Sequence, residues 1–386
     1  MEIDTGELKG KAFRCIDGCG LCCLCQPELL RHEAKYFLSE EQLRKSVTRS
    51  SIDSSRRAIS MFPSGGPCTL LRDRKCTVYG QRPHFCRSFP VHTHIMWRIQ
   101  LTADMSCRGV WRTWHGAVPE GYEDLESYGI KELHTYSTGR LENELRDAQE
   151  VYRSFAENCK DVGIWTDHAP LRSSARELIN LGFFSSISGL GRVIAASEDS
   201  RDRGVEFMSA LKTIGAERGT QAAFAVAEDL LDEILDLDSI QEMPVFVGSD
   251  LTWRLFRRGK MSPGSVSRLR LGDRGGVTEE GEFGLDFKDV AVSGEGQAFM
   301  TEFASLTNRR DVFLGFVYYL TDDADYETDV QTTYMENLAV TQLDLLLRSS
   351  LTHPASMRKL GRDELADGVV FIDMDMHDAP TIGSVI

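Results

Sequence analysis

Cys15-Ile-Asp-Gly-Cys19-Gly-Leu-Cys22-Cys23-Leu-Cys25 places five thiols within eleven residues. Thiolates at such spacing can wrap one ion or cluster, because the short loops between them bend back on themselves. Gly18 and Gly20 help, since glycine tolerates the positive φ of tight turns. Cys22 and Cys23 are neighbours whose side chains are expected to diverge. They then serve two metals, or one metal and one structural contact. Downstream lie Cys68, Cys76 and Cys86, followed by Cys107.

Leaving Cys25 aside, the candidate ligands number eight: Cys15, Cys19, Cys22, Cys23, Cys68, Cys76, Cys86 and Cys107. Zinc and iron–sulfur clusters both favour four thiolates. Eight therefore reads as two four-cysteine sites, or as one site with spare cysteines. Cys68, Cys76 and Cys86 have no fourth partner nearby in sequence. The two sets are accordingly expected to interleave in space, and the N-terminal part to need its metal to fold. Cys25 and Cys159 read as structural or free.

Nine of the ten cysteines precede residue 108. A first domain is thus expected over residues 1–118, holding the cysteine cluster, and an acidic, mainly helical one over 119–386. Charge divides the same way: residues 1–120 carry 18 Lys+Arg and 12 Asp+Glu, the remainder 26 and 47. An acidic second part repels phosphates, so no nucleic-acid partner is expected. The longest apolar stretch, 312–320, is too short for a bilayer, and the acidic start Met1-Glu-Ile-Asp-Thr-Gly6 is unlike a signal peptide. No membrane partner and a cytoplasmic location follow. Thiols stay reduced there, which favours metal or redox roles over disulfides.

The fold class expected is α+β: a small cysteine-rich, metal-stapled N-terminal domain, then a larger, mostly helical one. Pro27 suits the first turn of a helix running to about Leu38. Residues 91–102 alternate apolar and polar, which predicts one strand with a buried face; its polar side carries His92 and His94. Helical composition marks 125–158 with a break at 136–139, then 171–181, 205–214, 220–235, 296–307, 310–320 and 326–351. Residues 245–292 read as β-rich, with a Gly-rich turn at 272–276.

The order Phe13-x-Cys15-x3-Cys19-Gly-x-Cys22-Cys23, then Glu33, then Cys68-x-x-Leu71-x4-Cys76-x-x-Tyr79-x-x-Arg82-Pro83-x-x-Cys86-Arg87-x-Phe89-Pro90 resembles the YkgJ-like CxxCxxCC family. The resemblance spans about residues 12–110. It implies a zinc- or iron-chelating domain, and the family includes flagellin lysine N-methylases. Three residues separate Cys15 from Cys19, where the family name implies two. That departure also fits the three-cysteine pattern of radical S-adenosylmethionine enzymes, but the strand–helix alternation of their barrel is missing.

Other residues are weaker candidates. His92 and His94 read as solvent-side residues or as completing a metal site. Asp373, Asp375 and His377 fall on one side if their segment is extended, a possible hard-cation site. Arg82 and Arg87 flank Cys86 and can offset thiolate charge. The functional expectation is a metal-binding cysteine-cluster protein with an iron–sulfur cluster or zinc/iron, in redox, sensing or metal handling. A protein lysine N-methyltransferase using S-adenosylmethionine and a structural zinc protein are the alternatives, and catalysis is left open. A protein substrate or a redox partner is the expected contact.

Overall fold

The computed structural model describes residues 2–111, 120–262, 264–354, 359–378 and 381–385. It is α+β, with the cysteine-bearing region first and a mostly helical region after it. Among the described residues, no helix is long and apolar enough to cross a membrane.

The alternating segment is a hairpin rather than one strand. Val91–Ile95 and Ile99–Ala103 pair antiparallel around a turn at Met96-Trp97-Arg98. The alternation survives the turn because odd residues pair with odd ones: Val91 with Ala103, Thr93 with Leu101, Ile95 with Ile99. Periodicity alone cannot see a turn that preserves phase. Ile3–Asp4 joins Ile99–Ala103 in parallel, and Ser384–Val385 pairs with Val91–Ile95, completing a four-stranded sheet.

The even-numbered face of the hairpin is a buried polar layer, not a solvent face. The His94 ring is buried and bonds Thr102 Oγ1 at 2.9 Å; His92 Nε2 meets Asp104 Oδ2 at 2.9 Å. Gln100 donates to Asp4 and accepts from the Asp311 amide. Beneath this layer Arg310, 1% exposed, bridges Glu7 at 2.9 Å and Asp373 at 2.6 Å. Charges this deep persist only when paired and hydrogen-bonded.

The expected division near residue 118 does not separate two cores. Leu8, Phe13, Leu101, Leu125, Leu338 and Phe313 belong to one continuous apolar cluster. Ala12–Phe13 also pairs with Glu123–Asp124 across that point. Within the body, helices begin where a side chain caps the first free amides: Asp124 over Ser127 N, Ser137 over Arg140 N, Ser293 over Gly296 N. The break expected at 136–139 is the Ser137 cap between Leu125–Leu133 and Thr138–Asp161.

Several boundaries moved for physical reasons. The first helix is Arg31–Ser39, because Glu28–Leu29 pairs with Arg57–Ile59 instead of continuing the turn from Pro27. The longest C-terminal stripe starts at Val330, capped by Asp329, since Asp325 and Tyr326 adopt positive φ. Helix Ile187–Arg203 was not foreseen: Gly189 and Gly191 weaken its local signal. A Cβ on Gly191 would lie 1.7 Å from Gly219 O, so the crossing with helix Ala216–Leu235 requires that glycine. The segment holding Asp373 is likewise helical, Arg362–Asp378, and not extended. A helical segment does not give the one-sided alternation that an extended one would. The Asp373 carboxylate serves Arg310 and the Met105 amide instead. The side chains of Asp375 and His377 lie outside the described residues.

Residues 245–292 form the expected β-rich unit. Phe246–Val247, Trp253–Arg258, Ser265–Leu271 and Val277–Gly284 make an antiparallel sheet in sequence order. The Gly-rich turn closes with Gly272 N donating to Gly276 O at 2.9 Å. It docks on the Pro63–Gly66 turn, where Gly276 N donates to Ser64 O at 3.1 Å. That contact brings the sheet over the cysteine loops.

Candidate metal centre

The first cysteine loop is shaped by two glycines. Gly18 and Gly20 have φ of 85° and 66°, and a short 3₁₀ turn, Leu21–Cys23, follows. Cys23 N donates to Gly20 O at 3.0 Å and Leu24 N to Leu21 O at 2.8 Å. Leu21 anchors the turn in a cluster with Leu71, Val247, Trp253 and Leu269. A Cβ on Gly20 would sit 2.9 Å from the Trp253 ring, so the loop approaches the sheet as closely as backbone allows. Trp253 Nε1 donates to Cys19 O at 2.8 Å, and the Arg74 guanidinium lies 3.5 Å over the Trp253 ring. Sequence reasoning missed Trp253 and Arg74; no local pattern links them to cysteines more than 200 positions away from the tryptophan.

The second set is delivered by three tight elements. Cys68 N donates to Cys23 O at 2.7 Å, which joins the two sets through the backbone. Cys76 sits on a hairpin, Leu71–Arg72 with Lys75–Cys76, turned by Asp73 and Arg74 at φ 47° and 59°. Cys86 lies in the short helix His84–Ser88. Glu33 fixes that helix from beside it: Glu33 Oε1 accepts from His84 N at 2.7 Å, and Glu33 Oε2 from Leu30 N at 3.0 Å.

Cys15, Cys22, Cys23, Cys68, Cys76 and Cys86 line one cavity of about 230 Å³. Members of both sequence sets therefore face the same space. Cys19 and Cys107 stand outside its lining: Cys19 packs with the Trp253 cluster and Cys107 against the main core, and each senses the other's neighbourhood electrostatically. Cys22 and Cys23, expected to diverge, both line this one cavity, on a 3₁₀ turn. Cys25 lines a separate, larger cleft, and Cys159 is buried within helix Thr138–Asp161. His92 and His94 are absent from the thiol cavity.

Burial sets the protonation of these thiols. Loss of solvent pushes Cys68 up to about 11 and raises Cys15, Cys19, Cys76, Cys86 and Cys107. Cys22 is the exception: the adjacent Cys23 thiol lowers its pKa, while the neighbouring Cys22 and burial raise that of Cys23. Arg82 favours the thiolate at Cys15, Cys22, Cys76 and Cys86, as expected for an offsetting cation. Arg87 does not share that task, being drawn to Glu33 at 3.6 Å and Glu132 at 3.5 Å. Among the described residues, no three Cys, His, Asp or Glu side chains already form a closed ligand set. The six thiols surround the cavity without converging in it.

Residues 14–107 match the CxxCxxCC family model. That family is described as "Putative zinc- or iron-chelating domain". The match runs from the first cysteine loop to Cys107. No curated protein and no solved structure matches the chain. The matched residues end before helix Leu125–Leu133, and the sheet that covers the cysteine loops lies outside them.

Proposed function

We propose that the CxxCxxCC domain holds a polynuclear thiolate centre, an iron–sulfur cluster or a pair of zinc or iron ions, in the cavity lined by Cys15, Cys22, Cys23, Cys68, Cys76 and Cys86. The observation that carries this is the gathering of six cysteines from two distant segments around one space. One tetrahedral ion takes four thiolates, and six exceed that. Buried sulfur donors suit zinc, iron–sulfur clusters and other thiophilic ions rather than hard cations. The fit is chemical. Burial favours the protonated form at Cys15, Cys68, Cys76 and Cys86, and a metal would exchange such protons for itself and draw the thiols together. Arg82 and the Tyr79 hydroxyl, both of which favour the Cys15 thiolate, would then temper the charge of the loaded site. Such a centre supplies electron transfer if it is iron–sulfur and rigidity if it is zinc.

The test is anaerobic purification followed by elemental analysis and an absorption spectrum. The expected outcome is more than one metal ion per chain, with a band near roughly 400 nm if the centre is iron–sulfur. Cys22→Ser and Cys86→Ser should each lose metal, while Cys159→Ser should retain it. A metal-free chain, or one holding a single zinc, overturns the polynuclear reading.

A further inference from the structure

Beside the thiol cavity opens a second, larger one of about 1190 Å³. The two share a wall: Cys22 and Cys86 line both. One face of helix Arg31–Ser39 forms a side of the larger cleft, placing Arg31, Lys35 and Leu38 along it at helical spacing. Arg57 comes from the neighbouring strand and Arg140 from the start of helix Thr138–Asp161.

The charges in this cleft do not cancel. Its carboxylates are already engaged: Glu28 with Arg56 at 2.8 Å, Asp104 with His92 at 2.9 Å, Glu144 with Arg140 at 3.9 Å. Arg31, Lys35 and Arg57 are exposed and form no ion pair among the described residues. A positive cleft is unusual on a chain of net charge −15, and field lines focus in a concave site. Its rim is apolar, with Leu38 and Phe85 exposed at 38% and 46%. Its volume exceeds the roughly 300–1,000 Å³ of small-molecule sites.

We infer that this cleft binds an acidic peptide segment of a partner protein and presents it to the Cys22–Cys86 wall of the metal site. The carboxylates of the peptide would meet Arg31, Lys35 and Arg57, and its apolar side chains Leu38 and Phe85. The inference rests on the proposed metal centre only for what lies behind the shared wall; the cleft and its charges stand without it.

Fluorescence anisotropy with labelled hexaglutamate, on the full chain, tests the inference. Binding should weaken at least tenfold in Lys35→Glu/Arg57→Glu and in Arg31→Glu. These side chains are exposed, so circular dichroism and metal content should be unchanged, and hexaglutamine should not bind. Absence of hexaglutamate binding, or binding indifferent to both charge reversals, overturns the site. Equal binding of hexathymidylate or of citrate overturns the peptide assignment. Metal content is read separately in every sample. A metal-free chain that still binds hexaglutamate through Lys35 and Arg57 defeats the metal centre and leaves the cleft standing.

Discussion

The cysteine loops and the helical body hold themselves together by different means. From Cys15 to Ser88 the chain forms two- and three-residue strands, 3₁₀ turns and three short helices, the longest being the nine-residue Arg31–Ser39. Its apolar support is a small cluster around Phe37, Ile59 and Cys68, plus what it borrows from the sheet at Trp253. The body instead buries whole faces of long helices, such as Val330–Thr352, in one continuous core. The difference says where the proposed metal would matter. A region with little core of its own leans on its neighbour and would gain most from ligation, whereas the body has sufficient burial without either.

The sharpest way to break this comparison is to remove the metal. Chelation followed by limited proteolysis should expose cleavage sites between residues 15 and 86 while fragments beginning near residue 125 persist. Apparent free energies of structural zinc sites run to about 10 kcal/mol or more, so the loss of protection should be large. Equal protection with and without chelator would mean the loops fold on the borrowed sheet alone.

The body has its own vulnerable point. Asp373→Ala would remove one of the two carboxylates that Arg310 meets among the described residues and would take an acceptor from Met105 N. Breaking a buried pair by removing one partner costs about 3–5 kcal/mol. Urea unfolding should show a loss of that size, with metal content unaffected if the two regions are independent. The same network predicts an acid response. Burial alone would raise the Glu7 carboxyl, but Arg310, Lys11 and the Ala103 amide outweigh it and hold the pKa below its ordinary 4.5. A carboxyl depressed in the folded state contributes fully above its unfolded value and loses that contribution as pH falls through the folded one. Glu7 therefore supports folding down to pH 4.5 and is lost below it. Glu7→Gln should lower stability near neutrality and flatten the acid limb of the stability curve.

How much was legible follows the same division. The cysteine spacing disclosed the segment that matches the CxxCxxCC family, because candidate ligands are written in side-chain type. The capped helices of the body were legible through periodicity, and the sheet at 246–284 through its Gly-rich turns. What escaped were features set by tertiary contact. The hairpin at 91–103 kept its alternation through the turn. Helix Ile187–Arg203 hid behind glycines needed for a close crossing, and Asp373 sat in a helix whose Asp-Met-Asp-Met sequence mimics a strand. At the site, the shared cavity of Cys22 and Cys23 and the roles of Trp253 and Arg74 have no local signal. Glu33 was visible only as part of a family pattern, and its purpose, fixing the helix of Cys86, required coordinates.

The finest test concerns the seam between the two regions. Trp253 is fully buried, donates to Cys19 O and carries Arg74 on its ring. Trp253→Phe keeps an aromatic ring against Gly20 and deletes the Nε1 donor. The Cys19 carbonyl then loses one partner, a cost of about 1 kcal/mol. If the seam only stabilises, urea unfolding shifts by that amount and metal affinity holds. If the sheet also positions the first cysteine loop, the same energy appears in ligation, since the unanchored loop must be ordered when the metal binds. Competition with a chromophoric chelator should then show affinity reduced roughly fivefold, at about 1.4 kcal/mol per tenfold. A stability loss with unchanged affinity would show that the loop is set by Gly18, Gly20 and the Cys68–Cys23 backbone bond alone. The body would then be a platform for the cysteine domain and not a part of its metal site.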